Sequence, residues 1–495
     1  MLRHLVVALA VLPTAAHAFC GFYVAGGGAD LFNNATQVVL MREGTKTVLS
    51  MQNNYQGPPE NFAMVIPVPV VLQKENVKTL PRDVFERIDR LAAPRLVEYW
   101  EQDPCEAARR RRDSMLEKKM LKSFGGMKYD ELEKGPLVKV EAQFTVGEYE
   151  IVVLSAKDAL ALELWLKENK YKIPEGAEPL FRPYIQQGMK FFVARVDTTK
   201  VTFKDGMAML SPLRFHYDSE KFELPVRLGL INAKDKQDLI IHILAKNQRY
   251  EVANFPNVTI PTNIDLVPSA KNEFGPFYVS LFDRTLAKNP GAVITEYAWQ
   301  ATSCDPCPTT PLTEADMLTL GSDVIPVKAG DPYNPASGFV LTRLHARYDK
   351  SSLGEDLVFK AASGIEGGRE HDREGEGLRQ TAIESSYNNF QGRYAIRYPF
   401  KGEVTCTDPL WGVWGGNPNG AKETLAAKDV AFQKRDPALL AKLAEADVPV
   451  FDVKGRKRLS GVALRSTDAD PAPAPAPEPT PAPAPETKKW WQFWK

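Results

Sequence analysis

Residues 36–52 read TQVVLMREGTKTVLSMQ. Thr36 to Met41 and Thr47 to Met51 are rich in β-branched and apolar side chains, and Glu43-Gly44-Thr45 separates them. Branched side chains suit a pleated surface, and a short glycine-bearing break between two such runs marks a hairpin. Outward from this hairpin the same texture recurs. Phe62 to Val70 is a further strand, where Pro67 and Pro69 indicate an edge or an exit because proline cannot donate to a ladder. Val146 to Leu154, Met189 to Val196, Met207 to Arg214, Val226 to Asn232 and Leu239 to Leu244 follow with polar residues between them, which suits an antiparallel meander. Val293 to Gln300, Phe339 to Ala346, Leu357 to Lys360 and Gly392 to Tyr398 repeat the pattern, and the charged, glycine-rich Gly364 to Gly377 reads as an exposed loop. Helical spacing is rarer. Val84, Phe85, Ile88 and Leu91 follow Pro81 as one apolar stripe, Pro94 breaks it, and Leu96 to Trp100 returns to strand. Ala159 to Lys167 is a short amphipathic helix with Leu160, Leu164 and Trp165 on one side. The expected fold is α+β, mainly antiparallel sheet with a few packed helices, in two closely packed subdomains.

Composition divides the rest of the chain. Its 495 residues carry 62 basic and 62 acidic side chains. That balance argues against a nucleic-acid partner, which would show as a basic excess. Residues 1–18 have the parts of a secretory signal: Arg3 and His4, the apolar run Leu5 to Leu12, and Ala16-His17-Ala18 before the cut. The mature chain is therefore expected to begin at Phe19 and to be exported, to the periplasm or the cell surface. Cys20 follows the bulky Phe19, where a lipoprotein signal needs a small residue. No later segment approaches the ~18–20 apolar residues of a membrane helix, so no transmembrane helix is expected in the mature chain.

Residues 19–415 read as the globular body, with 19–105 and 138–415 as its subdomains and 106–137, which contains Arg109 to Arg112, as a charged insertion. Residues 416–469 read as a partly helical extension. Residues 470–487 are a Pro/Ala-rich linker, which proline keeps out of helix and sheet and which should be a disordered polyproline spacer. The tail, 488–495, sets Trp490, Trp491, Phe493 and Trp494 among lysines. That composition suits a membrane interface; peripheral membrane contact, a protein partner and no role are its three open readings.

The chemical motifs are sparse. Cys20, Cys105, Cys304, Cys307 and Cys406 all lie beyond the expected cut. In an oxidising compartment most should be paired, as two bridges and a spare thiol, with the connectivity left open. Cys304-Asp305-Pro306-Cys307 is the sharpest motif, because two sulfurs at this spacing can form a reactive disulfide. Pro308 and Pro311 follow it, so no helix starts promptly behind Cys304 to depress its pKa. A structural disulfide is the simpler reading, with redox and metal-binding roles as alternatives. A zinc site needs four ligands, and no second cysteine pair accompanies this one. His216, His242, His345 and His371 stand isolated in the sequence, and His242 reads as a satisfied core residue inside an apolar strand. There is no Gly-x-Ser-x-Gly elbow, Walker loop or His-Glu-x-x-His helix, and Gly26-Gly27-Gly28 lacks the spacing of a dinucleotide fingerprint. No cofactor, metal or catalytic residue is assigned.

Several longer stretches carry a resemblance. They are FCGFYV (Phe19 to Val24), NNYQGPPENFAMVIPVP (Asn53 to Pro69), APRLVEYW (Ala93 to Trp100) with DPC (Asp103 to Cys105), GMKFFVARVD (Gly188 to Asp197), LSPLRFHYDSEKFELPVRLGLINA (Leu210 to Ala233) and SCDPCP (Ser303 to Pro308). Together they resemble the bacterial domain of unknown function 2330 family, from about residue 19 to about residue 415. The resemblance implies an exported bacterial envelope protein and brings no activity, substrate, cofactor or catalytic residue. Three functions stay open. The leading one is a non-catalytic role in binding or scaffolding an envelope ligand or protein. The others are a thiol–disulfide oxidoreductase using Cys304 and Cys307, and a hydrolase whose residues meet only in the fold.

Overall fold

The structure is a computed structural model. It describes Phe22 to Val453, apart from residues 26–35, 53–54, 57–61, 114–139, 170, 172, 174–176, 205–206, 233–235, 327–333, 350–353, 370–377, 418–423, 427–437, 446 and 452. The signal segment, Cys20, the triple glycine, His371, most of the charged insertion, the Pro/Ala linker and the aromatic tail lie outside the described residues.

The hairpin forms as its residues dictate. Strands β1 (Thr36–Glu43) and β2 (Lys46–Gln52) pair antiparallel, with Leu40 opposite Leu49 and Glu43 opposite Lys46. Gly44 turns the chain at φ +54°, in the region open to glycine. This hairpin sits inside an eleven-stranded sheet. Strand β4 (Gln237–Lys246) runs parallel to β1 and antiparallel to β6 (Phe339–Tyr348), which in turn pairs with β5 (Val293–Gln300). Both faces of this centre are covered, so its strands are apolar almost throughout rather than alternating. On one face Val38, Leu40, Leu49, Met51, Ile241, Ile243 and Leu344 share a core with Phe62, Met64, Ile151 and Phe192 of a second, five-stranded sheet. On the other, Val39, Met41, Val48, Leu244 and Leu341 meet Val84, Phe85, Ile88 and Leu91 of helix α1 (Asp83–Ala92). A third, five-stranded sheet contains β3 (Arg95–Glu101) and β7 (Arg393–Tyr398), which run parallel to each other. The fold is thus α+β with largely antiparallel sheets. Segments from before residue 105 and after residue 138 share all three of those sheets.

Several local expectations change. Val146 to Leu154 is not one strand: Gly147, at φ +57°, splits it into a hairpin of Val140–Val146 and Tyr149–Ser155. Met207 to Arg214 likewise divides, at Ser211-Pro212, into Met207–Ala208 and Leu213–Asp218. Val226 to Asn232 is a short 3-10 helix, Arg227–Asn232, because Pro225 and Gly229 disfavour a ladder. The meander does not form there, since β4 pairs with β1 and β6 instead of with Leu213–Asp218. Pro67 lies in an inner strand, Phe62–Val68, opposite Phe191. It is tolerated because the neighbour on its other side, Phe22–Ala25, pairs only as far as Val65. Gly364–Gly367, read as loop, is a strand. The helix over 159–168 buries Ala159, Leu162 and Leu166, while Leu160 and Leu164 are 57% and 49% exposed; of the expected face, Trp165 alone packs against that core.

Candidate functional site

Strand β6 carries Leu341, Arg343, His345 and Arg347 at alternate positions, hence on one face of the sheet. Leu341 belongs to the apolar cluster beneath α1; the other three continue the same face as a row of basic groups. Carboxylates from four other elements converge on that row. Strand β4 supplies Asp238, strand β5 supplies Glu296 and α1 supplies Asp89. The fourth is Asp283, on the long helix Ala270–Lys288 that covers the row. Glu296 arrives by a bulge. The register of β5 against β6 jumps from Thr295–Leu344 to Tyr297–Arg343, which leaves Glu296 as the extra residue. A bulge of this kind re-aims a side chain.

The geometry fixes the charge states. His345 Nδ1 lies 2.8 Å from Glu296 Oε1 and its Nε2 lies 2.9 Å from Asp238 Oδ1. An ionised carboxylate only accepts, so both ring nitrogens carry protons and His345 is an imidazolium. Burial opposes that charge, but Glu296 and Asp238 overcome it and raise the pKa of His345. Arg343 donates from Nε to Glu296 Oε2 at 2.6 Å and from a terminal nitrogen to Asp89 Oδ1 at 2.5 Å. Arg347 forks onto Asp238, at 2.7 and 3.1 Å, and also bonds Asp283. Tyr278 donates its hydroxyl to Glu296. Burial alone would raise the pKa of Glu296, yet His345 and Arg343 hold it at about 2. Asp238 is held low in the same way by His345 and Arg347. His242 differs. Arg343 can only donate, so the 3.2 Å contact makes His242 Nε2 an acceptor, and burial together with the Arg343 charge keeps this ring neutral. Phe282 stacks on His345 at 3.9 Å and closes the cluster from above. Glu296 and His345 have no exposed side-chain surface, and Arg343 has 2%.

The cysteines are placed separately. Cys304 and Cys307 form one disulfide, with Cα atoms 4.9 Å apart. Cys105, at the start of helix α2 (Pro104–Asp113), pairs with Cys406 across 301 residues. The Cys304–Cys307 turn follows β5 and is tied from outside. Arg95, the first residue of β3, donates to the Pro306 carbonyl at 2.9 Å. Gln391 donates to the Asp305 carbonyl at 2.6 Å, and Arg369 pairs with the Asp305 carboxylate at 2.7 Å. Cys304 packs against the cluster that holds Leu312, Met317 and Leu320, whereas Cys307 is exposed. The next helix starts only at Glu314, so no helix N-terminus backs the pair. Among the described residues no group of three or more His, Cys, Asp or Glu is arranged to hold a metal ion.

Sequence reading singled out the cysteine turn and missed the ionic row, because Asp89, Asp238, Glu296 and His345 are far apart in the chain. The signal that was available is the alternation Arg-x-His-x-Arg inside an otherwise apolar strand, which demands partner carboxylates.

A family model described as "Uncharacterized protein conserved in bacteria (DUF2330)" matches residues 14–360, more than half of the chain. The chain belongs to this DUF2330 family. The matched span includes the cysteine turn and every residue of the ionic row, and it ends before Cys406 and β7. No curated protein and no solved structure matches this DUF2330 chain. Among its described residues no helix is long and apolar enough to cross a membrane.

Proposed function

We propose that this DUF2330 protein is exported to the bacterial envelope and that its β-rich body binds or scaffolds an envelope ligand or protein, with no acid–base chemistry at the buried ionic row. The observation that carries the proposal is the sealing of Glu296, Arg343 and His345 inside the fold. These groups have the residue types of an acid–base site, but they neutralise one another under a helix. Both His345 nitrogens are engaged by carboxylates, so neither is free to take a proton from a substrate. That argues against a hydrolase built on this cluster. Export is supported by the signal-like residues 1–18 and by two disulfides, a covalent chemistry suited to an oxidising compartment. Chemical crosslinking in intact cells, followed by fractionation, tests the reading. A reproducible crosslinked species in the envelope fraction is expected; protein recovered only uncrosslinked, or in the cytosol, contradicts it.

A second reading is favoured by one feature of the cysteine turn. Arg95, Gln391 and Arg369 hold that turn independently of the sulfur bridge, and Cys307 is open to solvent. Such a bridge can be opened and closed without rebuilding the loop, as thiol–disulfide exchange requires. The two readings are compatible, because a scaffold can carry one exchangeable disulfide.

A further inference from the structure

We infer that the buried guanidinium of Arg95 stabilises the Cys307 thiolate, and so makes the Cys304–Cys307 pair an oxidant for the dithiols of other exported polypeptides. The inference rests on the exchangeable-disulfide reading above and adds to it a direction and a residue that sets the direction.

Arg95 has no exposed surface. One of its terminal nitrogens bonds the Leu91 carbonyl at 2.6 Å, where it caps the last turn of α1, and the other bonds the Pro306 carbonyl at 2.9 Å. Its Nε has no hydrogen-bond partner, and among the described residues no carboxylate pairs with it. The Tyr297 ring lies 5.2 Å away, but a neutral ring does not cancel a charge. Burial disfavours the charged form of Arg95 and outweighs the support that Tyr297 gives it, and the neighbouring cations Arg343 and Arg393 add to the cost. The residue that follows Pro306 is Cys307. A thiolate there would be the anion that this cation lacks, one peptide unit from the carbonyl that Arg95 already holds. A nearby guanidinium lowers a thiol pKa, and the lower-pKa thiolate is the better leaving group.

The exchange then runs in two steps. A thiolate of the partner attacks exposed Cys307 Sγ; the Cys304–Cys307 bond breaks, and Cys304 leaves as a thiolate that takes a proton. The partner's second thiol loses its proton and attacks the partner sulfur of the mixed disulfide, expelling the Cys307 thiolate beside Arg95. Two electrons pass from the partner dithiol to the cysteine pair, and the partner gains one disulfide.

The test uses the full chain with the turn reduced by limiting dithiothreitol. Cys307 is pulse-alkylated with iodoacetamide over a pH series, and the Cys307 peptide is quantified apart from those of Cys105 and Cys406. A midpoint at least about one unit below the ordinary thiol value of ~8.5 is expected. A midpoint at or above ~8.5 overturns the inference without any variant having to fold. In Arg95→Met the midpoint should rise by about one unit or more, and at a pH above both midpoints the equilibrium with glutathione should move about tenfold toward the disulfide. Arg95→Lys, which keeps the charge, should stay closer to the parent. A folded Arg95→Met with an unchanged midpoint removes Arg95 from the account and leaves the exchangeable disulfide standing. A pair that fails to equilibrate with glutathione at any ratio removes both.

Discussion

Glu296 is the residue on which the interior depends. It accepts from Arg343, His345 and Tyr278 at once, and the bulge in β5 exists where it is needed. Removing one member of a buried charged cluster leaves its partners uncompensated, which typically costs about 3–5 kcal/mol. Glu296→Gln should therefore lose about that much stability in urea unfolding, and a loss under about 1 kcal/mol would mean the cluster is not the internal tie described. The pH dependence follows from the same contacts. The pKa of His345 is raised from 6.5, so its contribution is complete below 6.5 and is lost as pH climbs through the higher folded value. Glu296 is lowered from 4.5 to about 2, so its contribution is present above 4.5 and fades as pH falls toward 2. Melting temperature should accordingly peak between these flanks, and His345→Phe should flatten the alkaline one. At this scale the sequence was legible only in part. His242 could be placed in the core from its apolar strand, whereas His345 looked isolated because its partners come from other strands and a helix.

Among elements, the hairpin, α1 and most strands of the central sheet were readable, because both the period-two and the helical stripes were clean. The helix over 159–168 was read on the wrong face, since apolar side chains ring it: leucines stand at 160, 162, 164 and 166. Packing, rather than pattern, selected Leu162 and Leu166. Truncating Leu162 to Ala should cost about 2–5 kcal/mol, while Leu160→Ser should stay within about 0.5 kcal/mol. Equal losses in denaturant melts of the two variants would return the helix to the face first expected. The helix Ala270–Lys288 went unread because Gly275-Pro276 resembles a break. The chain accommodates Pro276 with non-helical angles at Glu273, close to the start, and then continues for three turns. Those turns carry Tyr278, Phe282 and Asp283, so the lid of the ionic row was the least visible element of the fold.

Across the whole molecule, the Cys105–Cys406 bridge joins β3 and α2 to the segment that follows β7. Closing so long a loop in the unfolded chain makes a disulfide worth about 2–5 kcal/mol, and Cys406→Ala should lower stability by that order. The pairing could not be chosen from the sequence, where five cysteines permit many connectivities, and it emerged only once β3 and β7 lay side by side. The proposal of an exported envelope body rests on the signal-like residues 1–18, two disulfides and a sealed interior, and one measurement reaches its centre: a non-reducing peptide map of the protein purified from its native cells. The account predicts an amino terminus at Phe19 with Cys105 joined to Cys406 and Cys304 to Cys307; a chain that retains Met1, with these four cysteines reduced, would contradict it.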